Sequence, residues 1–138
     1  VSVVCSDALE IEEKEQYDFI LLDAPCSATG TIKRHPDLMY LREKEDVLRL
    51  AKLQKELIQK SVKLLKKGGE LVYSTCSLQK EENEDLINSV LNDYMNLERV
   101  TPLNPNLKPF LNEFGAVQVL PHVNGDQDGF YAVLLKKK

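Results

Sequence analysis

EKEDVLRLAKLQKELIQKSVKLLKKGGELVY, residues 43–73, is the stretch whose reading decides the fold. Over residues 43–65 the apolar positions Val47, Leu50, Ala51, Leu57, Ile58, Val62 and Leu65 recur at three- and four-residue intervals, which marks one face of an amphipathic helix. Lys63, Lys66 and Lys67 oppose the negative end of the helix dipole and Gly68 is placed to take a left-handed cap, so the helix is expected to stop at Gly68-Gly69. Leu71-Val72-Tyr73 then reads as a buried strand. Working upstream, residues 1–5 and the run Phe19-Ile20-Leu21-Leu22 are short, apolar and rich in branched side chains, as strands buried on both faces tend to be, and each ends at an aspartate, Asp7 or Asp23. Downstream, Ser77 and Glu81-Glu82-Asn83-Glu84 lead into a second helix bearing Leu86, Ile87, Val90, Leu91 and Tyr94.

This strand-helix-strand-helix order predicts an α/β fold with neighbouring parallel strands and a right-handed crossover. The proline-bearing residues 101–109 read as a loop. Residues 117–120 and 130–135 read as an antiparallel hairpin turning at Asn124-Gly125-Asp126. With 138 residues and 43% hydrophobic content, one core and one domain over 1–138 are expected. A net charge of -4 gives no bulk attraction for a polyanion, so an RNA partner needs a local basic patch. The three cysteines, Cys5, Cys26 and Cys76, fit neither zinc spacing nor a disulfide framework and are expected to be free thiols in the reducing cytoplasm. No metal is expected: His122 has no ligand at suitable spacing and reads as a loop residue. No apolar run approaches a membrane span, and the start at Val1, without Met or a charged signal region, suggests an excised piece. The Lys136-Lys137-Lys138 triplet reads as a frayed, solvated end.

Ligands of open parallel sheets bind beyond the carboxyl ends of the strands. Asp23-Ala24-Pro25-Cys26-Ser27 follows the Phe19 strand and Ser74-Thr75-Cys76-Ser77 follows the Leu71 strand. Adjacent strands lie about 4.8 Å apart, so both thiols can meet at one mouth. Cys5, inside a strand, is expected to be buried and inert. Asp7 and Asp23 also have an ordinary use as caps of the next turn. Lys33-Arg34-His35 is a basic run suited to a phosphate or to a solvated turn.

DAPCSATGTIKRHPDL, residues 23–38, and LVYSTCSLQKEEN, residues 71–83, closely resemble the matching motifs of RsmB/Sun-type RNA cytosine-5 methyltransferases. The likeness extends in the same order to Gly68-Gly69 and to DGFY, residues 128–131. It implies a Rossmann-like class I methyltransferase sheet, incomplete because its first two strands are absent, with a C-terminal antiparallel hairpin, and makes residues 1–138 the C-terminal portion of the catalytic domain. It also implies S-adenosylmethionine as cofactor and RNA as partner, ribosomal rather than transfer.

In residue terms the resemblance makes Cys76 the nucleophile that adds to carbon 6 of a flipped cytosine, so that carbon 5 can take the methyl group. A thiol of pKa about 8.5 is only about 3% ionised at neutral pH, so the helix expected after Ser77 would help Cys76 ionise. Asp23 activates the ring at nitrogen 3, Cys26 assists product release, and Pro25 fixes the backbone between them. Asp7, with Asp23, contacts the cofactor, and Lys33 and Arg34 meet the RNA.

The family's glycine-rich cofactor loop has no counterpart here. The chain alone is therefore expected to bind cofactor weakly and to be inactive. The absent strands would lie between residues 1–5 and the Phe19 strand, so the Phe19 edge is expected to recruit residues 1–5 or a second copy of the chain. Competing readings are a DNA cytosine methyltransferase with Cys26 as nucleophile, an exocyclic-amino methyltransferase, a Cys26–Cys76 thiol-disulfide switch and a non-catalytic RNA-binding module.

Overall fold

A computed structural model describes residues 2–13, 17–123 and 127–138. The apolar stripe does form a helix, α2 (Lys44–Leu64), after a single turn α1 (Leu38–Leu41). Reciprocal bonds between Glu43 and Asp46 box its amino end, satisfying backbone N–H groups that the first turn leaves unpaired. The other end corrects the expected Gly68 cap. Leu65 turns extended, with its N–H still bonded to the Ser61 carbonyl, and is fully buried at the start of β2 (Leu65–Thr75). Sinking Leu65 into the core therefore ends the helix before Lys66 and Lys67. Gly68, at φ +80°, serves an irregularity in the strand, where β1 (Tyr17–Asp23) advances from Tyr17 to Phe19 while β2 advances from Leu65 to Glu70.

The sheet runs β1-β2-β5-β3. Only β1 and β2 are parallel, in the register Ile20↔Leu71, Leu22↔Tyr73 and Asp23↔Ser74. β5 (Phe130–Lys137) lies antiparallel to β2. Its other side takes β4 (Val117–Val119) near its start and β3 (Leu97–Val100) near its end. The expected C-terminal hairpin is thus β4–β5, with its turn residues Asn124-Gly125-Asp126 outside the described residues. β3 is an additional strand. Residues 101–109, expected as loop, include most of a 3-10 helix, Pro105–Phe110, started by a bond from the Asn106 N–H to the Asn104 side chain.

Leu71, Tyr73 and Thr75 alternate onto one face of β2 together with Leu135, Val133 and Tyr131 of β5. Ile58 and Val62 of α2, and Leu86, Ile87 and Val90 of α3 (Glu84–Asp93), complete that core. Truncating fully buried Ile58 to alanine should cost about 2–5 kcal/mol of unfolding free energy in a urea titration. The same change at exposed Leu48 should stay within about 0.5 kcal/mol.

Burial on both faces is not realised in β1. Ile20 and Leu22 pack against the core, but Phe19 is 56% and Leu21 65% exposed, because α2 covers only one face and the outer edge pairs with nothing among the described residues. Residues 2–5 do not fill that edge. Ser2–Cys5 form no strand, Val3 and Val4 project into solvent, and Cys5 is exposed rather than buried; Val1 lies outside the described residues. A second copy is the other half of that expectation. The lysine tail also departs from a frayed end: Lys136 and Lys137 belong to β5, the Lys137 ammonium donates to the carbonyls of Val62 and Leu65, and the Lys138 N–H donates to Asn96. A charge at the end of β5 thereby satisfies carbonyls left open where α2 stops.

Candidate active site

β1 and β2 end side by side, and their carboxyl ends carry the two thiol segments. Asp23 is exposed on the rim, one oxygen accepting from the Ser74 hydroxyl at 3.1 Å. The next N–H, from Ala24, donates to the Ser74 carbonyl at 3.0 Å and carries the parallel pairing one step further. Beyond it the chain turns inward. Pro25 stays exposed while its carbonyl accepts from the buried Gln54 amide at 2.8 Å. Ala28 takes a left-handed conformation, φ 59°, to start a 3-10 turn, Thr29–Thr31. That turn brings the Gly30 N–H to the Cys76 carbonyl at 2.8 Å. The Thr29 hydroxyl oxygen accepts from the Leu78 N–H at 2.9 Å.

The two thiol segments are therefore joined backbone to backbone, and the sulfurs of Cys26 and Cys76 stand 3.4 Å apart. Both residues are half-buried. Burial pushes the Cys26 thiol up to about 12, with the Cys76 side chain adding to the shift and a backbone hydrogen bond at Ala28 opposing it. Cys26 is thus a proton-bearing thiol at neutral pH. As pH rises from about 9, the unfolded chain loses this proton before the folded one, so the associated stability fades toward pH 12.

The helix expected immediately after Ser77 begins later. Lys80–Glu82 is a 3-10 turn and α3 starts only at Glu84, because the Ser77 hydroxyl bonds to the Glu82 carboxylate at 2.5 Å instead of capping a helix. No helix amino terminus directly follows Cys76. Arg34 is ion-paired to Asp128 of the DGFY segment, which ties the basic run to the loop before β5. Lys33 and His35 are exposed on the same turn. Asp7 caps the turn Ala8–Glu10 through a bond from the Leu9 N–H at 2.9 Å. His122 is exposed.

Sequence reasoning missed the polar centre beneath the thiols. Glu82 is fully buried and accepts from the Ser27 N–H and the Gln54 amide on one oxygen and from the Ser27 and Ser77 hydroxyls on the other. Asn83, also buried, accepts from Thr75 and donates to the Ser77 carbonyl. One signal was present: Gln54 falls on the apolar stripe of α2 between Val47 and Ser61, seven residues from each, where a polar side chain needs a buried partner.

Residues 1–136 match the family described as 16S rRNA methyltransferase RsmB/F. The probable ribosomal RNA small subunit methyltransferase B of Bacillus subtilis is 40% identical over 133 residues, which cover 94% of this chain and 29% of that protein. The ribosomal RNA small subunit methyltransferase B of Yersinia enterocolitica is 44% identical over 129 residues, covering 90% of this chain and 27% of the relative. The chain thus spans under a third of the length of these relatives. Among solved structures, NSun6 from Pyrococcus horikoshii with SFG superposes at a TM-score of 0.83 and 29% identity, over 99% of this chain and 34% of that one. A methyltransferase homolog protein from the same organism superposes at 0.76 and 35% identity, over 96% and 43%. The mixed sheet is accordingly an incomplete class I methyltransferase sheet. Family, fold and paired thiol motifs agree, and this chain belongs to the 16S rRNA methyltransferase RsmB/F family.

Proposed function

We propose that this chain is the C-terminal portion of the catalytic domain of an S-adenosylmethionine-dependent RNA cytosine-5 methyltransferase acting on small-subunit ribosomal RNA. The observation that carries the reading is the pair of sulfurs 3.4 Å apart beyond the ends of two adjacent parallel strands, with Asp23 on the rim. Relatives named for small-subunit ribosomal RNA support the substrate class.

In this reading a cytosine extruded from its stack enters beside Asp23, which shares a proton with ring nitrogen 3 and draws electrons from carbon 6. Cys76 adds there as a thiolate, and the electron pair of the ring double bond becomes available at carbon 5. When bound, S-adenosylmethionine supplies an electrophilic methyl group to carbon 5. Transfer of the carbon 5 proton to a solvent water then re-forms the double bond and expels the Cys76 sulfur with its bonding pair. The Cys26 S–H, poised 3.4 Å away, stabilises the departing thiolate. The likeness of residues 71–83 to the family motif gives the attack to Cys76, and a Cys26 thiol raised by burial suits the protonated part beside it. Pro25 fixes the path between Asp23 and Cys26, and Lys33 and Arg34 flank the entry for a phosphate.

Asp23, whose side chain is exposed, is also proposed to contact the cofactor. Asp7, which caps a turn through one carboxylate oxygen, is proposed for the adenine contact. With no glycine-rich turn following a strand, the chain alone is expected to bind the cofactor weakly and to turn over poorly. The close sulfurs also suit a reversible disulfide, but the motifs around both thiols are better explained by pyrimidine chemistry.

The full-length protein, given methyl-labelled S-adenosylmethionine and unmodified small-subunit ribosomal RNA, should yield labelled 5-methylcytidine after nucleoside digestion. Label in any other nucleoside would refute the proposal.

A further inference from the structure

Below the two thiols lies a buried carboxylate that the proposed reaction does not use. Glu82 has no exposure to solvent and collects four donors. One oxygen accepts from the Ser27 N–H at 2.8 Å and the Gln54 amide at 2.9 Å. The other accepts from the Ser27 and Ser77 hydroxyls, both at 2.5 Å. Ser27 directly follows Cys26, and Ser77 directly follows Cys76. The two hydroxyl oxygens are themselves 3.1 Å apart, repeating one residue further on the close approach of the sulfurs.

We propose that Glu82 is a positioning residue that sets the separation of the two thiols by gripping the residue after each of them. Its catalytic meaning rests on the methyltransferase reading above; its geometric meaning does not. The anchor is itself fixed from below, since the Glu82 carbonyl accepts from the buried Tyr73 hydroxyl at 2.7 Å, tying the turn to the centre of β2. Gln54 holds the same oxygen of Glu82 and the Pro25 carbonyl with one amide nitrogen, which fixes its flip and leaves its own Oε1 buried without a partner among the described residues. An unsatisfied acceptor in a core is costly, and here the amide is held to the orientation that serves the thiol segment. Only a carboxylate can accept on both oxygens from four donors at once. A glutamine in its place would turn an NH2 group toward other donors.

The test uses the full-length protein, reduced and then exposed to oxidised glutathione. Cys26 and Cys76 lose two electrons and two protons to form a disulfide, and the oxidant is reduced to two glutathione thiols, so the rate of loss of two hydrogens by mass reports how well the sulfurs are aligned. Glu82→Gln should slow this cross-link by about tenfold or more while the circular dichroism spectrum is retained. Ser77→Ala, which removes one arm and leaves the carboxylate three donors, should slow it less, and Ser77→Thr, which keeps the hydroxyl, should restore it. If Glu82→Gln does not fold, the Ser77 pair decides. Cross-linking at the wild-type rate in Glu82→Gln, or equally fast in Ser77→Ala, overturns the positioning role. On RNA, Glu82→Gln should slow product release more than adduct formation, since release needs both thiols together; unchanged release despite slowed cross-linking overturns its part in the reaction. A slowed cross-link in a protein whose wild type forms no RNA adduct would uphold the positioning role and refute the methyltransferase reading.

Discussion

Replacing Cys76 by alanine in the full-length protein should lower methyl transfer by about a thousandfold or more and abolish the covalent protein–RNA adduct. Replacing Cys26 by alanine should also stop turnover, with the opposite signature: the adduct accumulates. The asymmetry follows from the different parts proposed for the two thiols. The two sulfurs are 3.4 Å apart, so each is within reach of the other's chemistry, and position alone does not assign their roles. The likeness of residues 71–83 to the family motif gives the attack to Cys76, and burial, which raises the Cys26 thiol, suits Cys26 to the protonated part beside it. Removing Cys26 leaves the attacker in place and takes away the S–H that stabilises the departing Cys76 thiolate. Gel-shifted protein on RNA, quantified for both variants, separates the outcomes; accumulation in the Cys76 variant would reverse the assignment.

Gly30→Ala is the other change expected to have a large effect. A Cβ there would stand 2.4 Å from the Gly129 carbonyl oxygen and 2.6 Å from that of Cys76. Both neighbours are backbone atoms, held by the Gly30 N–H bond to Cys76 and the Gly129 N–H bond to Gly30, each 2.8 Å, so neither can yield without breaking the connection between the thiol segments. Overpacking plus two weakened hydrogen bonds should cost about 3 kcal/mol or more, a fall of roughly 10 °C in melting temperature. Because the displaced atom is the Cys76 carbonyl, activity should fall by about a hundredfold even where the protein remains folded. Gly68→Ala is the control. Its φ of +80° makes any side chain strained, but nothing lies within 4 Å of the added carbon, so the loss should be near 1 kcal/mol with activity retained.

The contrast between these glycines also marks what sequence could reveal. The stripe of α2, the order of strands and helices, and the placement of both thiols past parallel strands follow from local periodicity and general sheet geometry, and they were legible. The end of α2 was not. Lys66-Lys67-Gly68 carries every local sign of a helix stop, yet the buried Leu65 ends the helix first, a tertiary demand that no local pattern encodes. Residues 1–5 are apolar enough for a strand, but a strand needs a partner, and residues 2–5 do not pair with the edge of β1. β3 is four residues long and gains its pairing from the far end of β5. Glu82 was the hardest to see. In a run of acidic residues it reads as a solvated start to a helix, and only the donors converging from Ser27, Gln54 and Ser77 reveal it as the buried junction.

In the proposed reaction the Cys76 sulfur bonds the pyrimidine while Cys26 waits beside it. Incubating the full-length protein with S-adenosylmethionine and RNA carrying 5-fluorocytosine, which cannot lose its substituent at carbon 5, should trap the adduct for proteolysis and mass mapping. The nucleotide is predicted on the peptide containing Cys76, with Cys26 unmodified. A nucleotide on Cys26, or no covalent product at all, would contradict it.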